Sequence, residues 1–172
     1  LPEDGGEQPL PPGEIGLLAV HRSDPGLMLG YWRRPQEEDT VYRGEWFTGG
    51  DLAALDEDGY IWFHGRADDV IKSFGYRLSP VEIEAELVAH EKVLEAAIVG
   101  RPDADDLIKP EAHIILNDPG DASDALEEEL LAHVKANLAP YKYPRWFNFV
   151  EELPKTATGK IQRRHVASKF KR

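Results

Sequence analysis

The chain has 172 residues, 41% of them hydrophobic, and a formal net charge of −12, which suits one domain or two small ones and disfavours broad binding to nucleic acid. It has no cysteine, which excludes disulfides, thiolate metal sites and cysteine nucleophiles. No stretch approaches the roughly 18 apolar residues of a membrane helix, and residues 1–13 carry no basic-then-apolar leader pattern; with no cysteine in the chain, a cytoplasmic location is expected.

Residues 1–13 are rich in proline, glycine and acids and read as a linker or a broken end. Residues 14–20 give a short apolar strand, and residues 34–42 a polar turn of helix. Trp46-Phe47, residues 52–55 and residues 60–64 read as β structure, with Asp56-Glu57-Asp58-Gly59 as the turn between the last two. Tyr60, Trp62 and His64 alternate with Ile61 and Phe63, the pattern of a half-buried strand. After "GRADDVIK" the texture becomes α/β, with a strand expected over residues 70–74. Ser79-Pro80-Val81-Glu82 has capping-box spacing with proline at the first helical position. The helix it starts is expected to reach about Ala89, with Val81, Ala85 and Val88 on its apolar face. Residues 93–99 and 112–116 read as core strands. Residues 124–138 form an amphipathic helix on Leu126, Leu130, Val134 and Leu138, joined by Leu131, with acids in its first turn. Residues 147–150 are a last strand, before a basic loop and tail.

A boundary belongs near Asp68. The part after it has the size of a self-standing domain; the part before it is small and open, and looks like the last piece of something larger. The basic loop, "LPKTATGKIQRR" over residues 153–164, stands out in an acidic chain. It is not a Walker phosphate loop: Pro154 stands where the leading glycine belongs, and Ile161 where Ser or Thr must follow the lysine. A phosphate met by Lys160 therefore meets a side-chain point charge rather than a backbone cradle. Ser79 is a helix cap rather than a nucleophile, since no Gly-x-Ser-x-Gly elbow is present. The six histidines show no metal-binding spacing; His64 and His113 fall in strand patterns and read as structural. No metal ligands are assigned.

Four motifs in order, "WFTGGDLAALDEDGYIWFHGRADDVIK", "GYRLSPVEIEAEL", "KPEAHIIL" and "LPKTATGKIQRR", resemble the C-terminal portion of the adenylate-forming superfamily, over nearly the whole chain. Within it the likeness leans toward benzoate-type aryl-CoA ligases and medium-chain acyl-CoA synthetases. The resemblance implies an α+β chain. A β remnant of a large N-terminal adenylation domain (residues 14–67) is followed by a small α/β lid (residues 68–172), a short sheet with flanking helices. It also implies an acid–CoA ligase that uses ATP, coenzyme A and magnesium to turn a carboxylic acid into acyl-AMP and then a thioester. The magnesium ligands would lie outside this chain.

By the same resemblance, Asp51 holds the ribose hydroxyls, Arg66 approaches the ribose and phosphate, and Asp68 is the hinge. Gly75 and Arg77 face the site during thioester formation, and Lys160 is the cation of adenylation. The missing N-terminal domain would be a partner, and Lys160 a target for a lysine acetyltransferase. One departure is visible: the threonine usually two places before the aspartate is Gly49 here, with Thr48 one place early. Two readings of the chain as given stay open. It is a piece of such a ligase, inactive in adenylation alone, or a stand-alone module binding coenzyme A or a partner. The acceptor thiol could also sit on a carrier protein.

Overall fold

Turn chemistry shapes the first half of the chain. Asp56 accepts the backbone N–H groups of Asp58 and Tyr60 through Oδ1, at 3.0 and 2.8 Å, and Gly59 takes a positive φ of 87°. This closes a hairpin between β5 (Asp51–Leu55) and β6 (Ile61–Arg66). The computed structural model describes residues 1–73 and 75–169. It divides into two units, Leu1–Asp68 and Asp69–Arg172.

In the first unit the apolar run at residues 14–20 is split into β1 (Gly16–Leu17) and β2 (Val20–His21). β1 pairs with β5, giving the sheet β1-β5-β6. β2 pairs with β4 (Trp46–Phe47), which also pairs with β3 (Tyr42–Arg43), just after α1 (Pro35–Val41). The β6 expectation needs correction in two ways. Leu52 pairs with Gly65 and Ala53 with Phe63, so His64 is an extra residue that breaks the alternation. Tyr60, Ile61, Trp62 and Phe63 are also all exposed, Trp62 at 61% and Phe63 at 57%. No described residue of this unit covers either face of the hairpin tip, so period-two alternation there does not separate a buried face from a wet one.

The second unit begins with a hairpin, β7 (Ile71–Ser73) and β8 (Tyr76–Leu78). Its main sheet has the order β11-β10-β9. β9 (Val93–Pro102) and β10 (Ile108–Leu116) are antiparallel, and β11 (Trp146–Phe149) joins parallel to β10. The crossover between β10 and β11 carries α3 (Asp124–Asn137), capped by Ser123, whose Oγ accepts the N–H of Leu126 at 3.3 Å. One sheet face packs Ala96, Ile98, Ala112 and Ile114 against Ile83, Leu87, Leu126, Leu130 and Val134. The other packs Ala97 and Val99 against Leu153 and Val166. The fold is α+β.

α2 (Pro80–Val88) starts where expected but buries a different stripe. Pro80, Ile83, Glu84 and Leu87 face inward, while Ala85 and Val88 are exposed. Ile83 and Leu87 bring more apolar volume to the sheet than valine and alanine at the same spacing. Ser79 takes the extended N-cap backbone, yet its side chain makes no cap hydrogen bond, and Glu82 pairs instead with Lys142 at 2.5 Å. The basic tail contains a helix the sequence did not suggest, α4 (Arg163–Lys169), anchored by buried Val166.

Candidate functional site

The first cluster lies where β5 begins and β6 ends. The register puts Asp51 opposite Arg66, and the bulge at His64 makes this register possible. Arg66 donates through Nη1 to the Gly49 carbonyl at 2.7 Å and to Asp51 Oδ1 at 3.3 Å. Its Nε reaches Asp68 Oδ1 at 3.1 Å. Burial works against the guanidinium charge. The hydrogen bond and charge of Asp68, joined by Asp51, outweigh it and hold Arg66 above its ordinary value. Gly50 has φ +87°, and a Cβ there would stand 2.9 Å from Arg66 Nη2, so glycine lets the arginine lie across the turn. Asp51 Oδ2 takes no hydrogen bond from any described residue, and the Asp51 and Arg66 side chains are 40% and 42% exposed. One carboxylate oxygen and part of a guanidinium thus face solvent together, a pairing suited to a diol beside an anion. Thr48 is turned away, its hydroxyl donating to the Val41 carbonyl at 3.1 Å.

The second cluster lies in the second unit. Lys160 closes a short hairpin. Thr156 N–H donates to the Lys160 carbonyl at 2.8 Å, Gly159 N–H to the Thr156 carbonyl at 2.9 Å, and Lys160 N–H to Thr156 Oγ1 at 3.1 Å. Gly159 takes the positive φ of 84° that the turn requires. The legs are joined by a bridge between Lys155 and Ile161. The loop is therefore a hydrogen-bonded turn that presents Lys160 to solvent, and among the described residues no ion pair involves its ammonium. Gly75 is in the turn between β7 and β8 with φ +79°, and a Cβ there would meet nothing within 4 Å. Arg77 is exposed on β8, opposite Lys72. Neighbouring Tyr76 stacks on Tyr141 at 4.2 Å.

Two side-chain groups escaped the sequence reading. Arg163 forks onto Glu84 and also reaches Asp69. The hydrogen bond to Glu84 raises it above its ordinary value against the cost of burial, helped by the charges of Glu84 and Asp69. Glu111 is buried in β10 and held by Arg101 at 2.9 Å and Asn148 at 3.1 Å, with Arg101 lying over the Trp146 ring. Arg163 was visible only as one more basic residue of the tail; its acidic partners lie 79 and 94 positions away. No group of three or more His, Cys, Asp or Glu that could hold a metal occurs among the described residues, and no described helix is long and apolar enough to cross a membrane.

Residues 82–160 match the family model of the AMP-binding enzyme C-terminal domain. Benzoate–CoA ligase of Thauera aromatica is 48% identical over 163 residues, covering 95% of this chain and 30% of the relative. The chain belongs to the adenylate-forming, AMP-binding superfamily. Mouse mitochondrial acyl-coenzyme A synthetase ACSM1 is 46% identical over 165 residues, covering 93% of this chain and 29% of that protein. Among solved structures, the anthranilate CoA ligase AuaEII in complex with anthranoyl-AMP superposes with a TM-score of 0.89 at 43% identity, over 99% of this chain and 33% of that one. This member of the superfamily thus spans about 30% of the length of its curated relatives.

Proposed function

We propose that the chain supplies the ribose-binding edge and the lysine-bearing lid of an AMP-forming acid–CoA ligase, acting on an aromatic or medium-chain carboxylic acid. The observation that carries this is the presentation of Lys160: an exposed ammonium on a closed turn, inside the segment that matches the AMP-binding C-terminal domain. The named relatives favour the acid class: one is a benzoate–CoA ligase, and one solved neighbour holds anthranoyl-AMP.

In adenylation a carboxylate oxygen attacks the α-phosphorus of ATP, the bond to pyrophosphate breaks, and acyl-AMP forms. Two anions must approach, and one ammonium near both offsets repulsion of about 4 kcal/mol at contact distance and intermediate dielectric. A compact charge on a long stem can follow the oxygens as their charge shifts. Asp51 accepts from the ribose hydroxyls, and Arg66, already steadied by Gly49, Asp51 and Asp68, leans toward the phosphate. In the second step the thiol of coenzyme A attacks the acyl carbon and AMP leaves. Gly75, where a Cβ would meet nothing within 4 Å, and exposed Arg77 would then face the narrow thiol arm. Asp68 is the pivot between the two arrangements, a role supported by the division of the chain between Asp68 and Asp69. Magnesium would belong to the ATP phosphates and to no step assigned here. Acetylation of Lys160 by a lysine acetyltransferase would remove its charge and silence the first step.

The test uses the full-length protein with ATP, benzoate and coenzyme A. Lys160→Ala is expected to slow pyrophosphate release about 100- to 1000-fold and to spare thioester formation from supplied benzoyl-adenylate. Equal loss of both steps would sink the assignment. The chain alone is expected to release no pyrophosphate. If adenylate forms but only a phosphopantetheine carrier protein consumes it, the acceptor is a carrier thiol.

A further inference from the structure

Lys160 stands on a turn whose second leg runs directly into α4, and the first residue of α4 is Arg163. Arg163 does not point into solvent. Its Nε and Nη2 donate to Glu84 Oε1 and Oε2 at 2.8 and 2.5 Å, and its Nη1 to Asp69 Oδ2 at 2.7 Å. The three side chains are 17%, 11% and 17% exposed, in the order Arg163, Glu84, Asp69. Glu84 Oε1 also accepts the Ile98 N–H at 2.9 Å. One planar fork therefore ties together α4, α2, β9 and the first residue of the second unit. An ammonium could not copy it, because a point charge cannot serve two oxygens of one carboxylate and a third oxygen in fixed directions. The other leg of the turn is also tied, through Lys155 Nζ to Glu95 on β9 at 2.6 Å.

The position of Asp69 gives this ion cluster more than a stapling role. Its predecessor, Asp68, is drawn to Arg66 in the first unit, while Asp69 is drawn to Arg163 in the second. Two consecutive carboxylates thus pair with arginines of different units. One reaches the arginine beside Asp51, and the other the arginine at the root of the Lys160 turn.

We propose that Arg163, with Asp69 and Glu84, is a positioning cluster. It makes the residue after the boundary and the Lys160 turn one rigid piece, so that rotation of the chain at Asp68 reaches the ammonium without slack. This rests on the reading of Lys160 as the adenylation cation, and adds a residue that acts through it.

Asp69→Asn and Arg163→Lys in the full-length protein test the proposal, beside wild type and Lys160→Ala. Asp69→Asn keeps the side-chain shape and removes one charge; Arg163→Lys keeps the charge and removes the fork. Both are expected to lower the kcat of pyrophosphate release from ATP and benzoate about 10- to 100-fold. KM for either substrate, and thioester formation from supplied benzoyl-adenylate, should stay within about twofold. Hydrogen exchange over residues 155–162 should accelerate while β9 and β10 keep their protection. Equal loss of both steps with faster exchange throughout the second unit would reduce the cluster to a staple and overturn the proposal. So would unchanged adenylation with unchanged exchange at the turn. If even wild type forms no adenylate, the ligase reading is what fails. Exchange then decides for the cluster: acceleration confined to the turn supports it, and an unaltered turn overturns it.

Discussion

One surplus residue, His64, decides what Asp51 faces. Without that bulge the β6 register would shift by one, and Arg66 would point to the other side of the hairpin. The motif pointed to Asp51 and Arg66 one at a time; their pairing depends on a register that no local pattern prints. His113 shows the same gap between pattern and environment. The sequence places it in a strand, and the structure buries it in β10 at 1% exposure, with Nε2 3.4 Å from Glu111 Oε2. Burial pushes the imidazole below its ordinary value; Glu111 opposes this and Arg101 reinforces it. The folded chain therefore holds His113 neutral where the unfolded chain takes up a proton, from about pH 6.5 downward. Its contribution is complete above that pH and is lost as the pH falls toward the depressed folded value. Thermal unfolding midpoints measured from about pH 8 to about pH 5 should fall more steeply for wild type than for His113→Asn. Parallel slopes would show that His113 does not carry the effect.

Elements were more legible than the faces they bury. α3 announces itself by a four-residue apolar repeat and first-turn acids, and it folds as Asp124–Asn137. α2 announces its start through Ser79-Pro80, but it carries two apolar stripes of helical spacing, and spacing alone cannot choose between them. The choice is made by the sheet: Ile83 and Leu87 are fully buried against Ile98 and Ile114, and Val88 is 45% exposed. Ile83→Ala should therefore cost about 2–5 kcal/mol in urea unfolding, and Val88→Ala no more than about 0.5 kcal/mol. A reversed order would restore the Val81-Ala85-Val88 stripe. α4 was hidden for another reason. Its seven residues hold five basic or polar heads on a single fully buried apolar anchor, Val166, which is too little periodicity to read. Partners distant in sequence, Glu84 and Asp69, fix it instead.

At the scale of the whole molecule, chemistry is distributed over two units that meet in the chain between Asp68 and Asp69. Asp51 and Arg66 belong to the first; Gly75, Arg77 and Lys160 belong to the second. On the proposed function, adenylation with Lys160 followed by approach of a thiol near Gly75 requires a change in how these sets face the nucleotide, and one exposed residue at the boundary is the proposed place for it. Proline there would fix φ near −65° and also restrict Ala67, whose N–H bonds to the Gly50 carbonyl at 2.9 Å. Asp68→Pro in the full-length protein should thus trap one arrangement. One half-reaction should fall on the order of 100-fold while the other stays within a few-fold, measured separately as pyrophosphate release and as thioester formation from supplied benzoyl-adenylate. Asp68→Ala is the control: it deletes the carboxylate that steadies Arg66 but leaves rotation free, so it should not split the two steps. A proline variant that slows both steps alike would place the pivot elsewhere, because a rotation centred on another residue would not distinguish between the two arrangements at Asp68.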